Sequence, residues 1–202
     1  MKRYIYLISP KRIINKKFYK DLNQVLKTNK VKYFQLRLKK EPVSNLIKIG
    51  KKIKKITQKN NVKLLINDSP LVAKMINADG CHIGQSDMSI SKSRKILGKN
   101  KIIGVTCHNS KKLALAAKKN GADYVAFGSF YKSLTKKNTH KADLKTLLWT
   151  KKKINMPTVA IGGINNFNYK KILSTGVSFV AFSGYIWNNR KYNPLMAIKN
   201  LI

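Results

Sequence analysis

Short apolar runs recur along this chain, and after each run the apolar residues change to helical spacing. This alternation is typical of parallel strands that are joined by helices. The run Leu64-Leu65-Ile66 has no polar face, which suits a strand buried on both sides. We predict eight strands at intervals of roughly 17–34 residues: 4–8, 33–39, 64–66, 79–83, 101–106, 124–127, 158–161 and 179–182.

Eight such units within 202 residues set the expected fold class. The pattern predicts an α/β protein, a single-domain (β/α)8 TIM barrel that occupies residues 1–202. Barrels of this type have about 250 residues and sometimes about 200, so this chain is near the minimum. An open, doubly wound sheet is the alternative. No linker or low-complexity tract marks a second domain.

The chain is strongly basic, with 43 lysines and arginines against seven acids and a formal net charge of +36. Such a charge fits a nucleic-acid-binding protein, or an enzyme whose exposed positions are filled with lysine. The basic residues are spread over nearly every predicted helix, and no basic stripe carries interleaved aromatic residues. We therefore expect an enzyme with no specific nucleic-acid partner.

The remaining composition indicates where the protein works. No apolar stretch approaches the length of a membrane span, so we expect no membrane partner. Cys81 and Cys107 are best explained as reduced thiols, which indicates a cytoplasmic protein. The sequence leaves a homo-oligomer open.

Two of the seven acids follow neighbouring predicted strands, Asp68 after the third and Asp87 after the fourth. Because the carboxyl ends of parallel strands meet at one edge, the two carboxylates are expected to lie close together. Carboxylates with an adjacent amide, here Asn67, suit Mg²⁺ held together with waters and a substrate phosphate. The alternative is that each aspartate caps the helix that follows it.

The second predicted strand alternates, with Gln35, Arg37 and Lys39 on its polar face. In a barrel this face points inward if the apolar face meets the helices. An arginine and a lysine at the mouth need an anionic partner to offset their desolvation, and a phosphate or diphosphate would serve. The alternative is an amphipathic strand with one solvated face.

Glycines follow the last two predicted strands, in Gly162-Gly163 and in Ser183-Gly184. Barrel enzymes often bind a phosphate with the loops after these strands. The polar loop at 129–136 adds hydroxyls and a cation, and its length suits a lid. No nucleophile with an adjacent base stands out, so the residues favour a site that holds phosphates and a departing diphosphate.

Taken together, the motifs resemble the thiamine-phosphate synthase family, a (β/α)8 barrel group that also contains thiazole tautomerases. The resemblance extends over nearly the whole chain. It rests on Gln35-x-Arg37-x-Lys39, Ile66-Asn67-Asp68, Ala78-Asp79-Gly80-Cys81-His82-Ile83-Gly84-Gln85-x-Asp87, Gly121-Ala122-Asp123-Tyr124, Thr135-Lys136, Ala160-Ile161-Gly162-Gly163-Ile164 and Ser183.

The resemblance implies roles for the residues of the pyrimidine half of the site. Gln35 would meet the aminopyrimidine. Arg37, Lys39, Asn67 and Lys136 would hold its diphosphate, and the three cations among them would act in catalysis. Asp68 and Asp87 would carry Mg²⁺. The implied reaction is loss of diphosphate from the hydroxymethylpyrimidine diphosphate, followed by attack of the thiazole nitrogen on the methylene cation.

For the second substrate, the resemblance places Ser133 and Thr135 beside the thiazole and Gly163 and Ser183 at its phosphate. Thr106 is a further substrate-binding position, where the family usually has serine. The chain also departs from the family pattern in this half of the site, at Ser129, Leu134 and Phe182. The implied partners are small phosphorylated molecules.

Two other functions remain open from the sequence. A thiazole tautomerase of the same fold would use His108 for proton transfer and would not need the two aspartates. A basic nucleic-acid-binding protein could also be built on an inactive barrel. The presence of Gln35, Asp68 and Asp87 together favours the synthase.

Overall fold

The structure, a computed structural model, describes residues 4–132 and 141–201. Its eight strands are all parallel and form a closed barrel in chain order, because the last strand pairs with the first. The predicted barrel is confirmed, and the open-sheet alternative is wrong. The strands are β1 Ile5–Ile8, β2 Val31–Leu36, β3 Lys63–Asn67, β4 Gly80–Ile83, β5 Ile102–Thr106, β6 Tyr124–Phe127, β7 Thr158–Ala160 and β8 Phe179–Phe182.

Helices cover the outside of the barrel. Within the described residues they are α1 Lys17–Leu26, α2 Val43–Lys59, α3 Pro70–Met75, α4 Ile90–Leu97, α5 Lys111–Lys119, α6 Leu144–Lys153, α7 Tyr169–Leu173, α8 Gly184–Trp187 and α9 Pro194–Lys199. The sequence pattern did not predict α8, since a single helical turn shows no periodicity. None of these helices combines the length and apolar character that a membrane crossing requires.

The strand alternation separates two apolar layers. One lies between the strands and the helices, and β2 contributes Phe34 and Leu36 to it. The other fills the barrel interior and includes Tyr6, Leu65 and Tyr124. Side chains that alternate along each strand therefore point either to the helices or into the barrel. The polar residues of the functional site lie above the inner layer.

The second strand begins two residues earlier and ends three residues earlier than its sequence pattern predicts. It was expected over 33–39 but ends at Leu36, so Arg37 and Lys39 lie in the loop that follows. The alternation continues past the end of the strand, since Leu38 is buried against the helices while Lys39 is exposed. Alternating burial predicts which way the side chains face but not where the strand hydrogen bonds stop.

The same side-chain hydrogen bond recurs at the amino ends of three strands, β4, β6 and β8. Asp79, just before β4, accepts a hydrogen bond from the Leu64 N–H on β3 at 2.9 Å. Asp123, just before β6, accepts one from the Ile103 N–H on β5 at 2.7 Å. The Ser178 hydroxyl, before β8, accepts one from the Thr158 N–H at 3.2 Å. Each side chain thus fixes the register of its own strand against the preceding one.

Asp79 is also held by two lysines at this end of the barrel. Its carboxylate lies 2.7 Å from Lys54 Nζ and 3.3 Å from Lys63 Nζ. Burial alone raises the pKa of this carboxyl, but the Lys54 and Leu64 hydrogen bonds and the Lys54 charge outweigh it, so the pKa is lowered. A lowered pKa stabilises the fold above the unfolded value of 3.8.

We predict that Asp79→Asn lowers the free energy of unfolding near pH 7 by about 1–3 kcal/mol, because both lysines lose their charged partner. Urea denaturation at several pH values measures this. The difference from the wild type should shrink as the pH falls through the lowered pKa, where the wild-type carboxylate is protonated too.

Asp21→Asn is the matched control, since it makes the same charge change at the Lys17–Asp21 pair on α1. Its lysine is exposed, with 68% of the side-chain area accessible. Such a pair contributes about 0.3–0.5 kcal/mol. If both variants lost the same free energy of unfolding, Asp79 would not stabilise the barrel more than an exposed ion pair does.

Candidate active site

Charged side chains from three adjacent strands meet at the carboxyl end of the barrel. Arg37 and Lys39 follow β2, Asp68 follows β3, and Asp87 follows β4. Lys39 Nζ lies 3.2 Å from an Asp68 carboxylate oxygen. The carboxyl group of Asp87 is close enough to raise the pKa of Asp68. The structure thus places two cations and two carboxylates, which we call the mouth cluster, at one point on the rim.

The backbone of Asp68 is held in an uncommon conformation. Its φ is +63°, in the left-handed region, which aspartate and asparagine tolerate better than most residues. Its N–H donates a hydrogen bond of 2.8 Å to the carbonyl oxygen of His82 on β4. The chain therefore turns toward β4 as it leaves β3, and this brings the Asp68 carboxyl to Asp87.

Neither aspartate caps a helix, so the capping alternative is wrong. The Ser69 hydroxyl accepts a hydrogen bond from the Val72 N–H at 3.2 Å and caps α3. Ser89 caps α4 in the same way. Serine supplies the acceptor that a helix N-terminus needs. Asp68 and Asp87 each precede the capping serine and are left for another role.

Asp87 is fixed by the loop that contains it. Its Oδ2 accepts a hydrogen bond from the Gly84 N–H at 2.7 Å. A side chain at Gly84 would come within 3.0 Å of that oxygen, so the glycine permits the close approach. This contact holds the Asp87 carboxyl beside the end of β4, where it meets Asp68.

The electrostatics of the mouth cluster favour a bound cation. Burial raises the pKa of Asp68, and the hydrogen bond and the charge of Asp87 raise it further, against the opposing effect of Lys39. Two carboxylates in contact disfavour their own ionisation. A hard divalent cation would remove this repulsion and prefers oxygen ligands, so the donor set fits Mg²⁺.

The protein alone does not complete a metal site in the described part of the chain. Residues 4–132 and 141–201 contain no group of three or more histidine, cysteine or acidic side chains that could hold a metal ion. Two carboxylates leave most positions around a six-coordinate ion open. Waters and substrate oxygens would have to occupy them.

Arg37 is positioned by a residue that the sequence analysis missed. The Ser9 hydroxyl, after β1, accepts a hydrogen bond from the Arg37 N–H at 2.9 Å. The carbonyl oxygen of Ser9 accepts one from the Ser183 hydroxyl at 3.1 Å. Ser9 therefore links the loops after β1, β2 and β8. Burial lowers the pKa of Arg37, while the charge of Asp68 opposes this effect.

Gln35 points into the barrel at the end of β2, where it is 3% exposed. Its Nε2 donates a hydrogen bond of 3.0 Å to the Tyr6 hydroxyl. On the far side of the mouth, Thr106 ends β5, and its hydroxyl lies 2.8 Å from His82 Nε2. Asn67, the last residue of β3, pairs in register with His82. These residues form the floor of the mouth.

The glycine pair after β7 allows a neighbouring loop to pack closely. Gly162 and Gly163 have φ angles of +108° and +64°. A side chain at Gly162 would overlap the Ser129 hydroxyl, and one at Gly163 would overlap the backbone of Tyr131 and Lys132. The loop after β6 therefore lies directly on the pair. The sequence pattern predicts phosphate binding for these glycines but not this packing role.

The remaining sequence-predicted residues either fall outside the described part of the chain or lie outside the mouth cluster. Ser133, Thr135 and Lys136 are outside the described residues, as is Leu134. Phe182 is 1% exposed and packs in the layer between the barrel and the helices, beside Tyr169 and Tyr185, so its bulk does not enter the mouth. His108 follows β5, and its carbonyl oxygen accepts a hydrogen bond from the Gly128 N–H at 2.9 Å.

This fold and site define a (β/α)8 barrel protein with cations and a carboxylate pair at the carboxyl ends of its strands. The family model described as thiamine monophosphate synthase matches residues 5–186 of the chain. The chain belongs to this family, which confirms the resemblance that the motifs indicated.

Two sequence relatives cover nearly the whole chain. A thiamine-phosphate synthase of Pelagibacter ubique is 58% identical over 200 residues, which is 99% of this chain and 96% of the relative. One of Rhodospirillum centenum is 36% identical over 185 residues, with 92% and 89% covered. The comparisons give no support to the tautomerase or the nucleic-acid-binding alternative.

Solved structures agree with the sequence comparisons. Thiamine phosphate pyrophosphorylase of Pyrococcus furiosus has a TM-score of 0.87 and 28% identity, with 98% of this chain and 93% of that chain covered. A 3-hexulose-6-phosphate synthase structure has a TM-score of 0.64 at 17% identity, with 98% of each chain covered, and this likeness shows the fold alone.

The raised pKa of Asp68 leads to a stability prediction. A carboxyl whose pKa is above its unfolded value of 3.8 stabilises the fold at low pH, and this stability is lost as the pH rises through the folded pKa. We predict that Asp68→Asn, which is neutral and tolerates the positive φ, raises the melting temperature at pH 7 by of order 2 °C without metal. Thermal unfolding in a chelator measures this.

Asp21→Asn again provides the control, since it adds the same net charge far from the mouth cluster and should not raise the melting temperature. The gain in Asp68→Asn should disappear as the pH falls below about 4, where the wild-type carboxyl is protonated as well. A melting temperature at pH 7 that falls in Asp68→Asn would show that Lys39 outweighs Asp87.

Proposed function

We propose that this chain forms thiamine phosphate by joining 4-amino-2-methyl-5-hydroxymethylpyrimidine diphosphate to a thiazole phosphate, with release of diphosphate. Its family supports this assignment. The observation that carries it in the structure is the mouth cluster, in which two cations and two neighbouring carboxylates occupy adjacent strand ends. The two cations suit binding of a leaving diphosphate, and the two carboxylates suit binding of a divalent cation beside it.

The diphosphate would lie against the cations of the mouth cluster. Arg37 is half-buried and its charge is poorly solvated, so an anion there would offset the desolvation. Lys39 is 55% exposed, so it can turn from Asp68 to a phosphate oxygen when a metal cation takes its place at the carboxylate. Asn67 adds a polar side chain at the end of β3. Lys136, outside the described residues, is proposed as the third cation.

Asp68 and Asp87 would hold Mg²⁺ together with waters and diphosphate oxygens. A cation bound there would offset the charge that collects on the diphosphate as it leaves. The fit rests on the donor set, since both groups are carboxylates and their mutual repulsion is relieved by a cation.

This reaction requires the protein mainly to position the two substrates and to stabilise the charge of the departing diphosphate. The bond between the methylene carbon and the diphosphate oxygen breaks, and its electron pair leaves with the diphosphate. The thiazole nitrogen lone pair then forms the new carbon–nitrogen bond, and the positive charge ends on the thiazolium. No covalent bond to the protein is required. Arg37 and Lys39 would stabilise the departing anion, and a floor formed by Gln35 would hold the pyrimidine.

The thiazole phosphate would bind across the mouth from the diphosphate. Gly163 and Ser183 follow β7 and β8 and are proposed to contact its phosphate. Thr106 closes the floor between the two substrates. Ser133 and Thr135, outside the described residues, are proposed to approach the thiazole ring.

We also propose that the protein acts in the cytoplasm on these small phosphorylated molecules, with no specific nucleic-acid or membrane partner. Cys81 and Cys107 are both free thiols, and burial raises the pKa of each to about 12. Protonated, buried thiols suit a reducing compartment.

We predict that Asp68→Asn lowers kcat for thiamine phosphate formation by at least about a hundredfold, since it removes transition-state charge stabilisation worth several kcal/mol. The assay supplies both substrates with Mg²⁺ and measures thiamine phosphate and diphosphate. Ser183→Ala is the comparison variant and should mainly raise the KM for the thiazole phosphate. If the wild type yields no thiamine phosphate, or if Asp68→Asn is fully active, the proposed function is wrong.

The shared metal site predicts coupled binding of Mg²⁺ and diphosphate. Two carboxylates bind the metal weakly alone, so its affinity should rise about tenfold or more once diphosphate supplies further oxygens. Calorimetric titration of Mg²⁺ into the protein, with and without saturating diphosphate, measures the coupling. Equal affinities under both conditions, after correction for binding between Mg²⁺ and diphosphate in solution, would contradict a site that protein and substrate share.

A further inference from the structure

A chain of hydrogen bonds crosses the barrel interior beneath the mouth. Gln35 Nε2 lies 3.0 Å from the Tyr6 hydroxyl, which lies 2.8 Å from the Tyr124 hydroxyl. The Tyr124 hydroxyl lies 2.8 Å from His82 Nδ1, and His82 Nε2 lies 2.8 Å from the Thr106 hydroxyl. We call these five side chains the interior wire. It connects two residues that we place at the substrates, Gln35 and Thr106, through three that we do not.

A glycine in the barrel wall provides the space that the interior wire occupies. Gly104, in the middle of β5, leaves a gap that the Tyr124 ring fills. A side chain at Gly104 would come within 1.8 Å of Tyr124 Cζ and 2.2 Å of its hydroxyl oxygen. Glycine in a strand interior weakens the strand, and it often marks a close approach by another group. Here the close approach puts the Tyr124 hydroxyl within reach of both Tyr6 and His82.

The rings of the wire are also held by packing. The Tyr124 ring stacks on His82 at 5.7 Å and on Tyr33 at 6.0 Å, and it meets the edge of Tyr6 at 5.8 Å. Tyr6 and Tyr124 are at most 2% exposed. Burial raises the pKa of both phenols above the usual value, so each keeps its proton and remains a donor. The packing therefore holds the rings of the wire in place, and both phenols stay protonated.

Each hydroxyl has one proton to donate, so the direction of one bond fixes the next. An amide nitrogen can only donate, so Tyr6 accepts from Gln35 and gives its own proton to Tyr124. Tyr124 then donates to His82 Nδ1. This leaves the proton of a neutral His82 on Nε2, where it is donated to Thr106.

The same distances would fit the reverse direction if the Gln35 amide were rotated by 180°, with its oxygen toward Tyr6. His82 would then carry its proton on Nδ1. The two directions present opposite groups to the mouth. In the first, Gln35 offers its Oε1 as an acceptor and Thr106 keeps a hydroxyl proton to donate. In the second, Gln35 offers its amide N–H groups.

We infer that Tyr6, Tyr124 and His82 are positioning residues that hold the wire in the first direction. Gln35 then presents Oε1 to an N–H of the exocyclic amino group, so the site selects an aminopyrimidine over the corresponding oxopyrimidine. The inference rests on the proposed function, because it takes the pyrimidine diphosphate as the ligand above Gln35. An oxo group would place two acceptors against each other and leave a buried pair unsatisfied.

The protonated nitrogen of His82 tests the direction without any assay of activity. The ¹⁵N–¹H spectrum of the histidine side chains distinguishes the Nε2-protonated tautomer from the Nδ1-protonated one. The His82 signals are assigned by their loss in His82→Gln. We expect the Nε2-protonated form in the wild type. The Nδ1-protonated form would overturn the proposed direction.

Substrate discrimination tests the selecting role. The probes are the amino- and oxopyrimidine diphosphates, compared by calorimetric binding and by kcat/KM for diphosphate release in the presence of the thiazole phosphate, since only the amino probe gives thiamine phosphate itself. Tyr124→Phe and Tyr6→Phe each remove one hydroxyl from the wire and let the Gln35 amide rotate. We expect each to lower the amino-to-oxo preference about tenfold, the change that loss of roughly 1.4 kcal/mol of pairing gives.

Tyr33→Phe is the matched control, since Tyr33 lies in the same aromatic cluster but outside the wire. It should keep the wild-type preference. A general loss of packing would lower kcat/KM for both probes alike and leave their ratio unchanged. An unchanged ratio in Tyr124→Phe and Tyr6→Phe, in an active enzyme, would overturn the selecting role.

The two proposals fail in different ways. If the wild type makes no thiamine phosphate from the aminopyrimidine, the proposed function is wrong and the selection falls with it. If the wild type is active and the ratios do not move, only the positioning role is wrong. The His82 tautomer decides the direction of the wire in both cases.

Discussion

The closure of the barrel between β8 and β1 is the constraint on which the rest of the structure depends. All eight strands are parallel, so their carboxyl ends must form one ring. Side chains that are far apart in the sequence then become neighbours. Ser9 and Ser183 are bonded across 174 positions for this reason. The mouth cluster and the floor below it are both consequences of the same ring.

The parts of the site that could be predicted from the sequence are those that adjacent strands supply. Asp68 and Asp87 follow consecutive strands, and consecutive strands in a parallel barrel are neighbours, so their proximity follows from order alone. The inward orientation of the Gln35 side chain follows from the alternation of side chains along a strand. The end of β2 could not be predicted, because Arg37 and Lys39 continue the alternating pattern after the strand pairing has stopped.

The interior wire lay beyond sequence reasoning because its partners come from opposite walls. Tyr6 and Tyr124 are separated by 118 positions, and each alone is an ordinary aromatic strand residue. The available signal was Gly104, a glycine within an apolar strand, whose purpose is apparent only once the Tyr124 ring is seen in its place. Ser9 was missed for a similar reason, since its role depends on the Arg37 backbone and not on its own neighbours in sequence.

The overall charge of +36 does not relieve the carboxylate pair. Solvent-exposed lysines act through water and salt, which screen them beyond about 10 Å. The groups that matter for Asp68 are its burial and Asp87, and they raise its pKa although Lys39 lies 3.2 Å away. A basic surface and a strained acidic pair can therefore coexist in one small barrel. Without a cation the carboxylate pair costs the fold stability, and the proposed ligands would remove that cost, so binding of substrate and metal should stabilise the protein.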